Sequence, residues 1–234
     1  MGKYDILVDE MEAKLRPPTI GLKPYEAKVI PLTTGEDMLV RTATREETEM
    51  VIEGIKVLLD HQKDFYDIVS ARIVAELLGM LRYRVQDEYL LIGAIDGEIA
   101  GIVNSRLVDG KIGMSLHTMT IRRGLRIGAQ LFAAKMEHHL EILGQEEVWI
   151  VAESPNGFKR WMIEYELEDR SAQFPAVRHE LGGVPTFVLT RKLYDAVRNQ
   201  KVTGSRPVDA VLLKTAEVLR APEKYPQIPG FRRE

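Results

Sequence analysis

The sequence contains no cysteine, few aromatic residues and no long apolar run. Cysteine is absent from all 234 residues, and aromatic residues make up only 7% of the chain. The lack of cysteine excludes disulfides, a thiol nucleophile and a zinc site with cysteine ligands. No uncharged apolar run approaches the roughly 18 residues of a membrane-spanning helix, and the N-terminus lacks the pattern of a signal peptide. We therefore expect a cytoplasmic protein with no membrane partner.

Neither sign of charge is in large excess. Lysine and arginine together number 32 and acidic residues 35, which gives a formal net charge of −3. Because there is no broad basic excess to neutralise phosphates, we expect no nucleic-acid partner. The length favours one domain with extensions over two equal domains. We predict an N-terminal extension over 1–37, a domain over 38–195 and a C-terminal tail over 196–234.

The hydrophobic pattern predicts a definite order of secondary structure. It indicates a strand, two helices, three antiparallel strands, a helix and a strand, which together make a mixed α/β (α+β) fold. The predicted elements are a strand at 38–44, helices at 45–59 and 64–85, strands at 89–95, 99–108 and 111–121, a helix at 129–143 and a strand at 147–152. Three local signals support these limits: a hairpin turn at Asp96-Gly97, a capping box of Thr44 with Glu47 and a C-cap at Gly144.

The two ends of the chain give weaker patterns. A short helix suits 5–16, and the stretch 21–35, interrupted by proline and glycine, suits extended chain. After residue 152 we predict a short helix to about 166, a polar loop at 168–173 and a final hairpin. The strands of this hairpin lie at 176–181 and 184–193, with Gly182-Gly183 between them.

A basic, glycine-containing turn joins the strand at 111–121 to the helix that follows. Arg122, Arg123 and Arg126 bring positive charge to this turn, while Gly124 and Gly128 let a ligand approach the backbone closely. The free N–H groups and the dipole of a helix N-terminus attract anions. The turn therefore suits a pyrophosphate, and the alternative is a simple strand-to-helix connection with a solvated basic rim.

This strand–turn–helix–strand stretch resembles the acyl-CoA-binding core of the GCN5-related N-acetyltransferases (GNAT superfamily). The segment Arg123–Gly128 fits the pattern Arg-x-x-Gly-x-Gly/Ala, except that Arg126 replaces the usual middle glycine. A second motif departs further, because Ser154, Trp161 and Tyr165 stand where the family has Asn, Tyr and Gly. The resemblance covers roughly 38–193 and implies a GNAT-like, mostly antiparallel central sheet flanked by helices, with N- and C-terminal extensions.

The resemblance also implies an activity. It implies an acyl-CoA-dependent N-acyltransferase that moves the acyl group of acetyl-CoA, or of another acyl-CoA, directly to an amine without a metal. The CoA contacts that it implies are main-chain groups near the strand end, the turn, and residues after the next strand. In this sequence these are Met119, Ile121, Arg122, Arg123, Gly124, Leu125, Arg126, Ile127, Gly128, Ala129, Ser154 and Asn156.

Three residues are candidates for handling protons. His117 lies on the strand before the turn, and its ordinary pKa near ~6.5 would suit a general base; the alternative is a packed histidine without a catalytic role. Glu153 is a second candidate base, or else a solvated charge at a strand end. Tyr165 is a candidate acid, because Trp161 stands where the family usually has tyrosine; the alternative is a core tyrosine. His138-His139 lacks the i,i+4 spacing of helical metal ligands, so we expect no metal site there.

The acceptor and the role of the extensions are left open by the sequence. Both acidic and basic residues lie near the predicted acceptor side, so a small-molecule amine, a protein lysine or an N-terminal amine are all open. An extension could also cover a second subunit in a homodimer. The alternatives to an enzyme are a CoA-binding sensor or regulatory module without turnover, and a structural protein that uses its termini to bind a partner.

Overall fold

One β-sheet forms the centre of the protein. The computed structural model describes residues 10–60, 65–151, 165–173, 185–201, 206–208 and 219–221. Within them the strands are β1 (Lys28–Pro31), β2 (Asp37–Thr42), β3 (Glu88–Ile95), β4 (Glu98–Leu107), β5 (Ile112–Thr120), β6 (Glu147–Val151), β7 (Glu168–Asp169), β8 (Thr186–Thr190) and β9 (Arg206–Pro207). They form a single sheet in the order β7-β8-β6-β5-β4-β3-β2-β1-β9.

The sheet is almost entirely antiparallel. Its one parallel pair among the described strands is β5 with β6, and the helix between these two strands makes the crossover that a parallel pair requires. All other neighbours are antiparallel. The mixed, mostly antiparallel sheet predicted from the sequence is therefore confirmed. β1 and β9 also show that residues on either side of 38–195 contribute strands.

Helices cover both faces of the sheet. They are α1 (Thr48–Lys56), α2 (Phe65–Leu81), α3 (Ile127–Glu137) and α4 (Arg191–Lys201); a 3₁₀ turn (Val57–Asp60) follows α1 and a π-helical turn (His138–Ile142) follows α3. On one face, hereafter the α2 face, Leu90, Ile92 and Met119 pack in one cluster with residues of α1 and α2. On the opposite face, hereafter the α3 face, Leu91 and Val103 pack against α3.

Local signals in the sequence fix several of these boundaries. Asp96 and Gly97 both have positive φ, at 51° and 77°, as a two-residue hairpin turn between β3 and β4 requires. Gly144 ends the helical segment with φ 72°. The backbone N–H of Thr44 donates to Glu47 Oε2 at 2.8 Å, which is the reciprocal half of the predicted capping box.

The structure differs from the sequence prediction around the last strand. The strand predicted to reach 193 ends at Thr190, and Arg191–Lys201 is helical where we predicted strand and then tail. Thr190 explains the change, because its Oγ1 accepts a hydrogen bond from the Leu193 N–H at 3.3 Å and so caps the helix. The predicted loop at 168–173 contains the short strand β7, which pairs with β8.

Other sequence predictions are met in part. The helix predicted from 129 already begins at Ile127 and changes to the π-helical turn at His138. Residues 10–15 of the predicted N-terminal helix are helical. The predicted helix after 152 and the strand at 176–181 lie outside the described residues. In the described part of the chain, no helix is long and apolar enough to cross a membrane.

Candidate functional site

The parallel strands β5 and β6 stay together for only part of their length. Their pairing runs from Ile112 opposite Glu147 to Ser115 opposite Ile150. β5 then continues to Thr120, and among the described residues no strand pairs with 116–120 on the β6 side. The two strands thus leave an edge of β5 backbone beyond Ser115, here called the β5 edge (116–120). An edge of this kind can hydrogen-bond an extended ligand as a strand would.

The hydrogen-bond pattern between β4 and β5 determines which main-chain groups of the β5 edge are available to a ligand. Ile121 N–H donates to Ala100 O at 2.9 Å, and Met119 lies opposite Ile102 two residues earlier. Because alternate residues of an antiparallel strand bond to the same neighbour, the main chain of Met119 also faces β4. The main-chain groups of Thr118 and Thr120 therefore face away from β4. The main-chain groups of Met119 and Ile121, which were predicted to contact CoA, thus face β4.

A β-bulge lies at the start of this edge. Val103 pairs with Thr118 and Ser105 with Ser115, so Leu116 and His117 together oppose the single residue Asn104. The backbone N–H of His117 donates to Asn104 Oδ1 at 3.0 Å. The bulge therefore has its own polar anchor, which holds the backbone of His117 in place.

A buried lysine fixes the same bulge from the α3 face. Lys135 is fully buried, and its ammonium lies 3.1 Å from His117 O, 3.4 Å from Asn104 O and 3.3 Å from Thr118 Oγ1. These acceptors come from the irregular part of the β4–β5 ladder, where a bulge disrupts regular pairing. Lys135 thus satisfies polar groups that would otherwise be costly to bury.

On the α2 face, His117 joins a short chain of polar side chains. Its imidazole is fully buried, and Nε2 lies 3.1 Å from Glu76 Oε1 of α2. The other oxygen of the same carboxylate, Glu76 Oε2, accepts a hydrogen bond from Asn104 Nδ2 at 2.5 Å. Since an ionised carboxylate only accepts, it favours the imidazole tautomer with its proton on Nε2. The contact with Glu76 therefore fixes the orientation of the His117 ring.

A second carboxyl group lies close to this chain. Glu88, at the start of β3, is 8% exposed and also lies on the α2 face, in step with Leu90 and Ile92. Burial, followed by the nearby charge of Glu76, raises the pKa of Glu88 to about 8. This carboxyl group therefore holds a proton over much of the neutral pH range.

Past the β5 edge, the chain turns directly into α3. Arg126 caps the helix with φ 59°, and its side chain makes no capping hydrogen bond. Ala129 and Gln130 N–H both donate to Arg126 O, at 3.0 and 3.1 Å. The amides of Ile127 and Gly128 belong to the first turn, where an α-helix provides no carbonyl partner for them. The start of α3 thus has the local geometry of an anion-binding site.

Two contacts define the surroundings of this helix start. A Cβ added to Gly128 would lie 2.8 Å from Thr120 Oγ1, so α3 begins tightly against the end of the β5 edge. Arg122 pairs with Glu36 in the turn between β1 and β2, with Nη2 2.8 Å from Oε1. Both side chains are about one-third exposed. The arginine predicted to meet a phosphate therefore already has a carboxylate partner.

The remaining sequence candidates are only partly described. Tyr165 is buried, with its ring 5.3 Å from that of Phe132 of α3, in the cluster that includes Ile150. It therefore packs on the α3 face, whereas the His117 imidazole lies on the α2 face. Glu153, Ser154 and Asn156, as well as Trp161, lie outside the described residues. His138 and His139 contact Lys23 O and the side chains of Ser105 and Gln145 instead of forming a pair of ligands.

Three residues of this site were not predicted from the sequence: Glu76, Asn104 and Lys135. Asn104 follows an apolar run in β4, and Lys135 lies between Phe132 and Met136 on a buried stretch of α3. A polar residue within an otherwise apolar stretch is the signal that could have found both. Among the residues that the structure describes, no group of His, Asp and Glu side chains has the arrangement of a metal site.

Comparison with known proteins gives similarity at the level of structure only. No protein-family model matches the sequence, and no curated protein matches it. An uncharacterized protein from Bacillus halodurans superposes with a TM-score of 0.54 at 12% identity, over 78% of this chain and 98% of that one. Mycobacterium smegmatis RimJ in complex with CoA-disulfide gives 0.49 at 10% identity, over 75% and 97% of the two chains. An acetyltransferase of the GNAT family from Staphylococcus aureus Mu50 gives 0.49 at 12% identity, over 66% and 99%.

At identities this low, the similarity concerns the fold. The order of elements and the mixed, mostly antiparallel sheet flanked by helices are those that the sequence resemblance implied. The predicted GNAT-like fold is therefore confirmed.

Proposed function

We propose that the protein is an acyl-CoA-dependent N-acyltransferase. The observation that carries this proposal is the β5 edge, which leads straight into the first turn of α3. A ligand that fits both parts needs an extended arm with amide groups and a diphosphate at one end. Acyl-CoA has this chemistry: its arm would add to the edge through Thr118 and Thr120, and its pyrophosphate would meet the amides of Ile127 and Gly128.

The turn would hold the anionic part of CoA. Gly124 has φ 89°, and its lack of a side chain would let the phosphates approach the backbone, while Gly128 lets α3 begin close to Thr120. Arg123 and the exposed Arg126 would add positive charge beside them. Leu125 and Ala129 complete the loop and first turn. Ser154 and Asn156 are proposed as further contacts from the sequence resemblance alone.

The same arrangement would support direct transfer. The acceptor amine attacks the thioester carbonyl carbon, and a backbone N–H of the β5 edge stabilises the negative charge that develops on the carbonyl oxygen. His117 takes the proton that the amine nitrogen loses, and Glu76 orients the imidazole and stabilises its charged form. The C–S bond then breaks and the CoA thiolate leaves. Glu153 remains a second candidate base, and Tyr165 a candidate proton donor to the thiolate.

The first test is a calorimetric titration of the full chain with acetyl-CoA and with CoA, followed by thiol release in the presence of different amines. Binding with release would support an acyltransferase, and a series of longer acyl-CoA thioesters would define the acyl group. Small amines, lysine peptides and peptides with a free N-terminus would separate the three acceptor classes. Binding without release for any pair would favour a CoA-binding module without turnover. Absence of binding would contradict the proposed site.

The helix start can be tested separately with Gly128→Glu. The added Cβ would lie 2.8 Å from Thr120 Oγ1 and the carboxylate would repel the phosphates, so we expect the dissociation constant for CoA to rise about a hundredfold or more. Gly110→Glu is a matched control, because a side chain there meets no atom within 4 Å. Circular dichroism and thermal melting would establish that both variants are folded. Normal CoA binding by folded Gly128→Glu would show that the phosphates bind elsewhere.

A further inference from the structure

Glu88 is a buried carboxyl group without a complete set of partners. It is 8% exposed, and among the residues that the structure describes its Oε2 has no hydrogen-bond partner. Leaving a buried carboxyl oxygen unpaired is costly, and more so when the group is charged. The protein thus holds on the α2 face an acidic group that a suitable ligand could satisfy.

The charges around Glu88 determine which kind of ligand suits it. Those that act on its carboxyl group are Glu76 of α2, Asp87 just before β3, Arg106 of β4 and His117 of β5. Arg106 is the only permanent cation among them, and it is already paired with Asp87, with Nε and Nη2 at 3.1 and 2.6 Å from Oδ2. What remains is a pair of carboxyl groups, Glu76 and Glu88, beside a histidine.

This pair lies next to the proposed base. Glu76 accepts from His117 Nε2 with one oxygen, and its other oxygen accepts from Asn104. Glu88 lies on the same face of β3 as Leu90, and Leu90 is paired with Asn104, the residue that donates to Glu76. If the reacting nitrogen of an acceptor lies at His117, the next atoms of that acceptor would therefore lie beside the carboxyl groups of Glu76 and Glu88. A carboxylate on that molecule would be repelled there, whereas a cation would be stabilised.

We infer that Glu88 and Glu76 form the acceptor subsite, and that the acceptor is an amine with a second cationic group, such as a diamine. This inference rests on the proposed function. The reacting nitrogen is deprotonated by His117, while the second ammonium group binds between the two carboxyl groups and donates to Glu88 Oε2. Burial and the charge of Glu76 keep the pKa of Glu88 at about 8 in the free protein. Binding of a cation would lower that pKa, and a proton would be released to solvent.

The test compares diaminobutane, butylamine and γ-aminobutanoate, which share a four-carbon chain and differ in the second group. Each is titrated into the full chain with CoA bound, at about pH 7 and in two buffers of different ionisation enthalpy. We expect diaminobutane to bind about tenfold more tightly than butylamine, because of one charge-assisted hydrogen bond. Its binding should release a proton, and γ-aminobutanoate should bind most weakly.

Glu88→Gln tests the residue itself. The amide mimics the protonated carboxyl group in size, so the fold should persist, which thermal melting would check. We expect the preference for diaminobutane over butylamine, in binding and in kcat/KM, to fall to about twofold or less, and the proton release to disappear. Glu146→Gln is the control, since Glu146 is exposed and pairs with the exposed Lys111. It should retain the full preference.

The outcomes separate this inference from the proposed function. Equal binding of the diamine and the monoamine, or preference for γ-aminobutanoate, would overturn the diamine subsite even if thiol release occurs. A full preference retained in Glu88→Gln would overturn the role of Glu88. Diamine binding that depends on Glu88, but without thiol release from any acyl-CoA, would support the subsite and contradict the acyltransferase.

Discussion

His117 is held by groups from three separate elements. Its backbone N–H donates to Asn104 of β4, its carbonyl contacts Lys135 of α3, and its imidazole contacts Glu76 of α2. Any buried histidine needs hydrogen-bond partners, so these contacts alone do not assign a role. They fix both the position and the tautomer of the ring, which the proposed general base would require.

Replacing His117 and Glu76 distinguishes a base from the residue that orients it. We expect His117→Ala to lower kcat by about a hundredfold or more, with CoA affinity unchanged within about twofold. Glu76→Gln should lower kcat by about tenfold and move the acidic limb of the pH–rate profile to lower pH, because the carboxylate no longer stabilises the charged imidazole. Steady-state kinetics across pH would measure both effects.

Two results would contradict these assignments. An unchanged kcat in His117→Ala would return the histidine to a packing role and leave Glu153 as the candidate base. A loss of rate in Glu76→Gln without any change in the pH profile would mean that Glu76 maintains the structure of the site and not the proton affinity of its base.

At this scale the sequence identified a residue type but not its partners. His117 could be selected from the sequence because few side chains titrate near neutral pH and it precedes the basic turn. Its contact with Glu76 joins residues 41 positions apart, and its contact with Asn104 joins residues 13 apart. Neither contact follows from a helical or strand periodicity in the sequence, so the partners of His117 become evident only in the folded structure. The contact with Asn104 also depends on a β-bulge, whose position cannot be predicted from a single sequence.

Among the elements, the start of α3 and the turn between β1 and β2 are linked by one ion pair. Glu36 lies in that turn, and the hydrogen bond from Arg122 lowers the pKa of its carboxyl group. Thr34 Oγ1 donates to the other oxygen of Glu36 at 3.0 Å. Because Arg122 immediately precedes the proposed phosphate site, Glu36 competes with a bound phosphate for the same guanidinium group.

Removing this competition should strengthen CoA binding. We expect Glu36→Gln to lower the dissociation constant for CoA by about two- to fivefold at low salt, with a smaller effect at high salt because both side chains are partly exposed. Calorimetry at two ionic strengths would measure this. Glu98→Gln is the control, since it breaks a similar exposed pair, with Arg220, at another part of the sheet. Weaker CoA binding by Glu36→Gln would mean that Glu36 positions Arg122 for the phosphate.

Most elements were predictable because their signals are local. The Asp96-Gly97 turn fixed the β3–β4 hairpin, and the spacing of apolar residues identified α1, α2 and α3. The predicted last strand was too long. Leu189 and Leu193 are both apolar and suit a strand, whereas the strand ends because Thr190 caps the helix that follows. The separation of β5 from β6 beyond Ser115 was not predicted from the sequence. Register and divergence of strands depend on pairing, which one strand's sequence does not contain.

For the molecule as a whole, the described residues 23–28 are held against α3 and the turn that follows it. Tyr25 donates to the carboxylate of Glu137, Lys28 pairs with the same group, and His138 contacts Lys23 O. These contacts hold the start of β1 and the residues just before it against the C-terminal end of α3. The sequence left the role of this stretch open, since its prolines and glycines give no periodic pattern. Its contacts stabilise the helix whose other end is proposed to bind CoA.

Buried titratable groups give the whole molecule a pH-dependent stability. Burial lowers the pKa of His139 to about 3, so this residue stays neutral in the folded state and favours folding less as pH falls below its ordinary range. Glu88 acts in the opposite direction. Its carboxyl group keeps a proton up to about pH 8 in the folded state, while in the unfolded chain it would lose that proton near its ordinary value of 4.5. Between these limits the unfolded state binds fewer protons, and stability falls as pH rises.

Glu88→Gln should therefore make the protein less sensitive to alkaline conditions. Relative to the wild type, we expect the variant to gain on the order of 4 kcal/mol in free energy of unfolding between about pH 4.5 and about pH 8. Urea unfolding at several pH values would measure this difference, and the contribution of His139 cancels because it is common to both proteins. Glu146→Gln, which changes an exposed carboxylate, should follow the wild-type curve. Parallel curves for Glu88→Gln and the wild type would show that Glu88 is ionised in the folded protein, and the proton release expected on diamine binding would then have no source.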